Sequence, residues 1–289
     1  MSAAKTANKP KNPKKLKVLH LIEGLGSGGA ERLLYTNLKH FDRELLENEV
    51  VTVFSSADYW LQPILDLNVP VSTLGCKSLR DIATGVRRLR KEIARFQPDL
   101  IHTHLWAANI IGRIAGFSTK TPVLSSIHNP EYEPEVFTGA TGLNSKKLFI
   151  ARNLDRWTAR FGCRKMLAVS RYVKESASRH LKFPLAKIEV LYNPVDVSDL
   201  CTGANRTRVD VLNELNLPPD AFILLNVARV APQKGLLYAI RALAEIHQRF
   251  PETHLVSVGG KDDAAWLSRL ELETEKLGLK THVHLLGAR

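Results

Sequence analysis

Short apolar strands alternate with amphipathic helices along nearly the whole chain, and that alternation commits it to a parallel α/β sheet. Residues 17–22 (KVLHLI) predict a first strand, and residues 31–41 a helix after a glycine turn, with Leu34, Leu38 and Phe41 on one face. Further strands are predicted at 49–54, 69–74, 99–103, 122–127, 165–169 and 188–192. Val86, Leu89, Ile93 and Phe96 form a one-sided helical stripe that Pro98 ends. Residues 193–219 hold Pro194, Gly203, Pro218 and Pro219 and predict a passage between domains with one short helix near 209–215. A second α/β unit follows: strand 222–228, helix 236–250, strand 254–258, helix 264–277 and strand 282–286.

The resulting plan is a disordered basic arm over 1–15, an N-terminal Rossmann-like domain over 16–200, a linker over 201–219 and a partial C-terminal domain over 220–289. Three strands and two helices are few for a free-standing α/β domain, so the chain reads as C-terminally incomplete. The arm lacks an apolar core and is not expected to act as a secretory signal. Cys76, Cys163 and Cys201 are odd in number and widely spaced, which suggests neither a disulfide framework nor a zinc site and suits a reducing cytoplasm. The net charge of +12 favours anionic partners. With no aromatic ribonucleoprotein motif, zinc spacing or recognition helix, nucleic acid is not expected among them.

Residues 23–32 (EGLGSGGAER) lie where the first strand hands over to the first helix. Glycines there permit positive φ and close approach of a ligand to the backbone, and the helix N-terminus behind them favours an anion. Gly24, Gly26 and Gly29 also satisfy GxGxxG, so an NAD(P)-dependent oxidoreductase is the rival from another class. That fingerprint expects an acid at the end of the second strand to hold the ribose. The nearest acid, Asp58, already lies in the following loop.

Five stretches in order, GSGGAER (26–32), PDLIHTHLWAANIIGRIAG (98–116), SSIHNPEY (125–132), AVSRYVKE (168–175) with LYNPVDV (191–197), and RVAPQKGL (229–236), resemble the retaining glycosyltransferases of family 4. The resemblance implies the GT-B fold, with two Rossmann-like domains facing across a cleft. It implies transfer of a hexosyl unit from a nucleotide-diphosphate sugar to a glycan or lipid-linked acceptor, with no cofactor and no metal. Gly28 and Gly29 would lie near the donor diphosphate, His128 would face the transferred sugar, and Arg229 and Lys234 would grip the diphosphate. Fixed cations there stabilise the negative charge of the leaving group. His102, His104 and Asn193 are weaker acceptor or cleft candidates; His102 and His104 are expected to face opposite ways, one to the core and one to the cleft. Glu23, Glu31 and Glu131 are possible acid/base groups. The family's E-x7-E motif has no counterpart in 237–289, so a non-catalytic or defective fragment is the nearer rival reading.

Residues 145–165 predict a basic helix in which Ile150, Leu154, Trp157 and Phe161 form one stripe and Arg152, Arg156, Arg160 and Arg164 another. Two surfaces fit this pattern: a helix packed on the sheet with a solvated basic edge, or an interfacial helix on anionic lipid. The second would place a cytoplasmic protein peripherally at the inner face of a membrane.

Overall fold

The computed structural model describes residues 14–55, 59–133, 145–198, 207–261 and 263–288. Most of the expected basic arm, Asp58, Cys201 and the start of the expected linker lie outside the described residues. Two compact units emerge, one from residues up to 132 together with 145–196, the other mainly from 197 onward.

The first unit is a seven-stranded parallel sheet in the order β3-β2-β1-β4-β5-β6-β7. Its strands are β1 (Leu16–Ile22), β2 (Leu46–Phe54), β3 (Val71–Cys76), β4 (Leu100–His104), β5 (Val123–Ile127), β6 (Lys165–Ala168) and β7 (Ile188–Val190). Between them run helices α1 (Gly29–His40), α2 (Leu61–Asp66), α3 (Ile82–Phe96), α4 (Trp106–Thr119), α5 (Ser145–Gly162) and α6 (Arg171–Leu181). Strand order runs one way from β1 to β3 and the other way from β4 to β7, so the topological switch point falls between β1 and β4. The pleat sends alternate side chains to opposite faces. Leu19 and Leu21 join the core under α3 and α4, while Ile22 joins the one under α1 and α2.

The α3 stripe buries Leu89, Ile93 and Phe96, and the helix stops at Gln97 in the left-handed conformation, one residue before Pro98. Helix α4 comes close to the sheet because a Cβ at Gly112 or Gly116 would overlap Thr103 or Val123.

The second unit holds α7 (Arg208–Glu214), β8 (Phe222–Val227), α8 (Leu236–His247), β9 (Thr253–Val258), α9 (Ala264–Lys276) and β10 (Val283–Gly287). Its parallel sheet runs β10-β9-β8, and its core gathers Leu236, Leu237, Ile240, Leu243, Leu255 and Leu270. Helix α8 ends at His247, three residues short of the predicted 250. Gly259 has φ +155°, and a Cβ there would collide with the Ala228 carbonyl, so the loop after β9 closes on the end of β8 only through glycine.

Candidate active site

Ligands of open parallel sheets collect outside the carboxyl ends of the strands at the switch point. In the first unit that position is bounded by the loops after β1, β4 and β5. Glu23, just past β1, accepts a hydrogen bond from the Ala107 amide at 2.6 Å, tying the first loop to the start of α4. Helix α1 opens at Gly28 in extended backbone with no side-chain cap, so the first-turn amides keep their anion-binding polarity. None of the loop glycines has positive φ, contrary to the conformational role expected of them. What they supply is room: a Cβ at Gly26 or Gly29 meets nothing within 4 Å, and one at Gly28 meets only the end of the Glu31 side chain. Across the switch point, Leu105 sits at φ +72° as the N-cap of α4, a turn that costs a non-glycine residue about 1–3 kcal/mol. Packing against the Ile22–Leu34 core offsets it.

His102 and His104 do not diverge as expected. Residues two apart on a strand point the same way, and both rings are buried on one face, 4.2 Å apart between centroids. His20 of β1 joins them, 5.4 Å from His102. His20 Nε2 donates to Asn48 Oδ1 at 3.0 Å, His102 Nε2 meets Ser126 Oγ at 2.8 Å, and His104 Nδ1 meets His128 Nε2 at 3.2 Å. Burial holds all four imidazoles below their ordinary range, His20 and His128 at about 4, so they are neutral at neutral pH. Among the described residues, His20, His102 and His104 are the set whose potential ligand atoms gather within 4.8 Å. His128, half-buried just beyond β5, is the member that reaches the rim.

Behind His128 lies a polar chain that sequence reasoning missed. The Trp106 indole donates to the Tyr132 hydroxyl at 2.8 Å, which donates to Asp155 Oδ2 at 2.8 Å. Asp155 pairs with Arg113, whose side chain is wholly buried, and Arg113 Nε donates to Ser125 Oγ at 3.0 Å. The chain locks the end of β5 to α4 and α5. Its signals were an arginine inside the apolar run WAANIIGRIAG and one acid in a basic helix. Burial, then the Asp155 and Glu23 carboxylates, push the Glu131 carboxyl up to about 8; burial also raises Glu23.

Asn193 lies exposed in the segment after β7. Arg229 and Lys234 belong to the second unit, both exposed on the loop from β8 to α8, with Gly235 at φ +71° closing the turn. A shallow cavity lined by Asp220, Glu252, His254, His282 and His284 opens at the opposite, amino-terminal ends of that sheet.

A seven-stranded parallel sheet with helices on both faces and a glycine loop at its switch point defines a doubly wound α/β protein. Residues 27–199 match glycosyltransferase family 4, and residues 210–289 match the glycosyl transferases group 1 family. The chain therefore belongs to glycosyltransferase family 4. An uncharacterised glycosyltransferase of Methanocaldococcus jannaschii is 24% identical over 207 residues, 69% of this chain and 48% of that protein. An Escherichia coli UDP-Gal:alpha-D-GlcNAc-diphosphoundecaprenol alpha-1,3-galactosyltransferase is 24% identical over 281 residues, 95% of this chain and 69% of that enzyme. The solved structure of Anabaena HepE with UDP-glucose superposes with TM-score 0.72 at 23% identity, over 95% of this chain and 69% of that one. The chain thus spans about half the length of the first relative. The family match begins at residue 27 and so takes in Gly28 and Gly29.

Proposed function

We propose that the chain serves transfer of a hexosyl unit from a UDP-sugar to a glycan or lipid-linked acceptor. The observation that supports this most is His128 at the carboxyl end of β5, hydrogen-bonded to His104 of β4, within the sheet whose switch point carries the uncapped glycine turn of α1. The UDP-glucose complex of HepE and the UDP-Gal donor named for the E. coli relative support the donor class. The latter's diphosphoundecaprenol acceptor supports the lipid-linked alternative.

In this reading Arg229 and Lys234 neutralise the departing diphosphate, and the Gly28 and Gly29 amides add directed dipoles. Neutral His128 hydrogen-bonds the sugar rather than adding charge. Glu131, protonated at neutral pH, is a donor and not a nucleophile. A leaving phosphate oxygen takes the acceptor's proton. Asn193, His102 and His104 are assigned less direct parts: Asn193 to the acceptor side, and the two buried histidines to holding His128 in place.

Calorimetric titration with UDP, GDP and NAD tests the assignment. Arg229→Ala or Lys234→Ala is expected to weaken UDP binding about 10- to 100-fold, the worth of one hydrogen-bonded charge. His128→Ala should leave UDP affinity intact while lowering transfer. Binding of NAD insensitive to both loop substitutions would reverse the reading.

A further inference from the structure

Helix α5 carries an apolar stripe on the side away from its packing. Its buried side chains are Asp155, Thr158 and Ala159, which face α4 and the polar chain around Arg113. Gly162 lets the end of the helix close on the Arg113 carbonyl, where any Cβ would overlap. At helical spacing, Ile150, Leu154, Trp157 and Phe161 fall on a different sector. Ile150 is 66% exposed, Trp157 59% and Phe161 53%, and neighbouring Phe149 is 60% exposed. The helix is thus packed through other residues, and of the stripe only Leu154 is half-buried.

The exposed charges of α5 itself have one sign. Asp155, the one acid in α5, is buried against Arg113. Arg160 stacks over the Phe161 ring, 5.8 Å from its centroid, and Trp157 lies 5.5 Å from Phe161. Arg164, just beyond the helix, and Lys146 in its first turn are exposed. Arg156 does not belong with them, because its guanidinium is spent on the His180 carbonyl of α6. The exposed side chains of α5 therefore offer aromatic and aliphatic groups beside cations, while the helix's one acid is buried.

We propose that the exposed stripe of α5 is a docking surface for an anionic lipid bilayer, with Trp157, Phe161 and Ile150 entering the interface and Arg160 and Arg164 on lipid phosphates. Tryptophan and phenylalanine suit the headgroup level, and basic flanks add attraction to anionic lipid. The surface stands on its own exposure and charge, independently of the transfer reaction, so it is tested without donor or acceptor.

The experiment is co-sedimentation of the full chain with phosphatidylcholine vesicles, with or without phosphatidylglycerol. Binding is expected only with phosphatidylglycerol and should fade at high salt. Arg160→Gln with Arg164→Gln is expected to weaken it about 30-fold, at about 1 kcal/mol per charge. Trp157→Ser with Phe161→Ser, which leaves the charge unchanged, should weaken it about 100-fold. Leu272→Ser, at an equally exposed apolar position on α9, should leave binding unaltered. Because these side chains are exposed, unchanged thermal unfolding will confirm that the variants fold. Absence of vesicle binding, or binding indifferent to the aromatic pair, overturns the proposal. Self-association that the aromatic pair abolishes, without vesicle binding, overturns it in favour of a second copy.

Discussion

Strands β1 and β8 open the two units with similar apolar sequences, LKVLHLI and FILLNV, and end in different surroundings. β1 lies between β2 and β4, and its last five residues are buried. β8 lies at the edge of its sheet, with Phe222, Leu225 and Val227 each at least 60% exposed. Composition marks a segment as a strand; its neighbours decide what it buries. The same contrast separates the candidate site groups. His128 and Glu131 are carried in a desolvated setting that shifts both, whereas Arg229 and Lys234 project from an exposed loop.

The sharpest way to break this contrast is Arg113→Ala. It leaves Asp155 buried without its cation and is expected to cost the first unit about 3–5 kcal/mol. Urea unfolding followed by tryptophan fluorescence reads it, since Trp60, Trp106 and Trp157 lie in that unit. A loss confined to the second unit, reported by Trp266, would contradict the account. Next is Leu21→Ala on β1, expected to cost about 2–5 kcal/mol from the transfer loss and the cavity it leaves.

Proton linkage comes third. Glu131 has a folded pKa of about 8 against an ordinary value of 4.5. The native state therefore holds a proton that the unfolded chain releases, and stability falls as pH rises between those values. Glu131→Gln should flatten that slope and gain on the parent chain up to about pH 8, which denaturation midpoints across pH will show. A parallel pair of curves would remove the assigned burial. The smallest effect is expected from Leu225→Ser on β8, within about 0.5 kcal/mol, since the side chain is already in water. A large loss there would mean that β8 is covered in solution.

Legibility followed the same division. The α3 helix could be read from its spacing because one of its faces is wet. Helix α4 was not named as an element, because nine of its fourteen residues are buried and WAANIIGRIAGFST carries little periodicity. In α5 the spacing correctly grouped Ile150, Trp157 and Phe161, yet spacing cannot say which face a neighbour covers. The paired orientation of His102 and His104 was available from strand geometry alone. The Trp106–Tyr132–Asp155–Arg113 chain was not, because its members meet only when two helices and a strand end converge.

Gly162 carries a consequence for anyone interpreting natural variants of this chain. It looks like an ordinary helix-ending glycine, remote from any candidate reactive group. Yet even alanine there would push α5 away from the Arg113 carbonyl, and α5 is what presents Asp155 to Tyr132. A single-codon change at an unassuming position would thus disturb the first unit through architecture alone, leaving every group of the proposed chemistry in the gene intact.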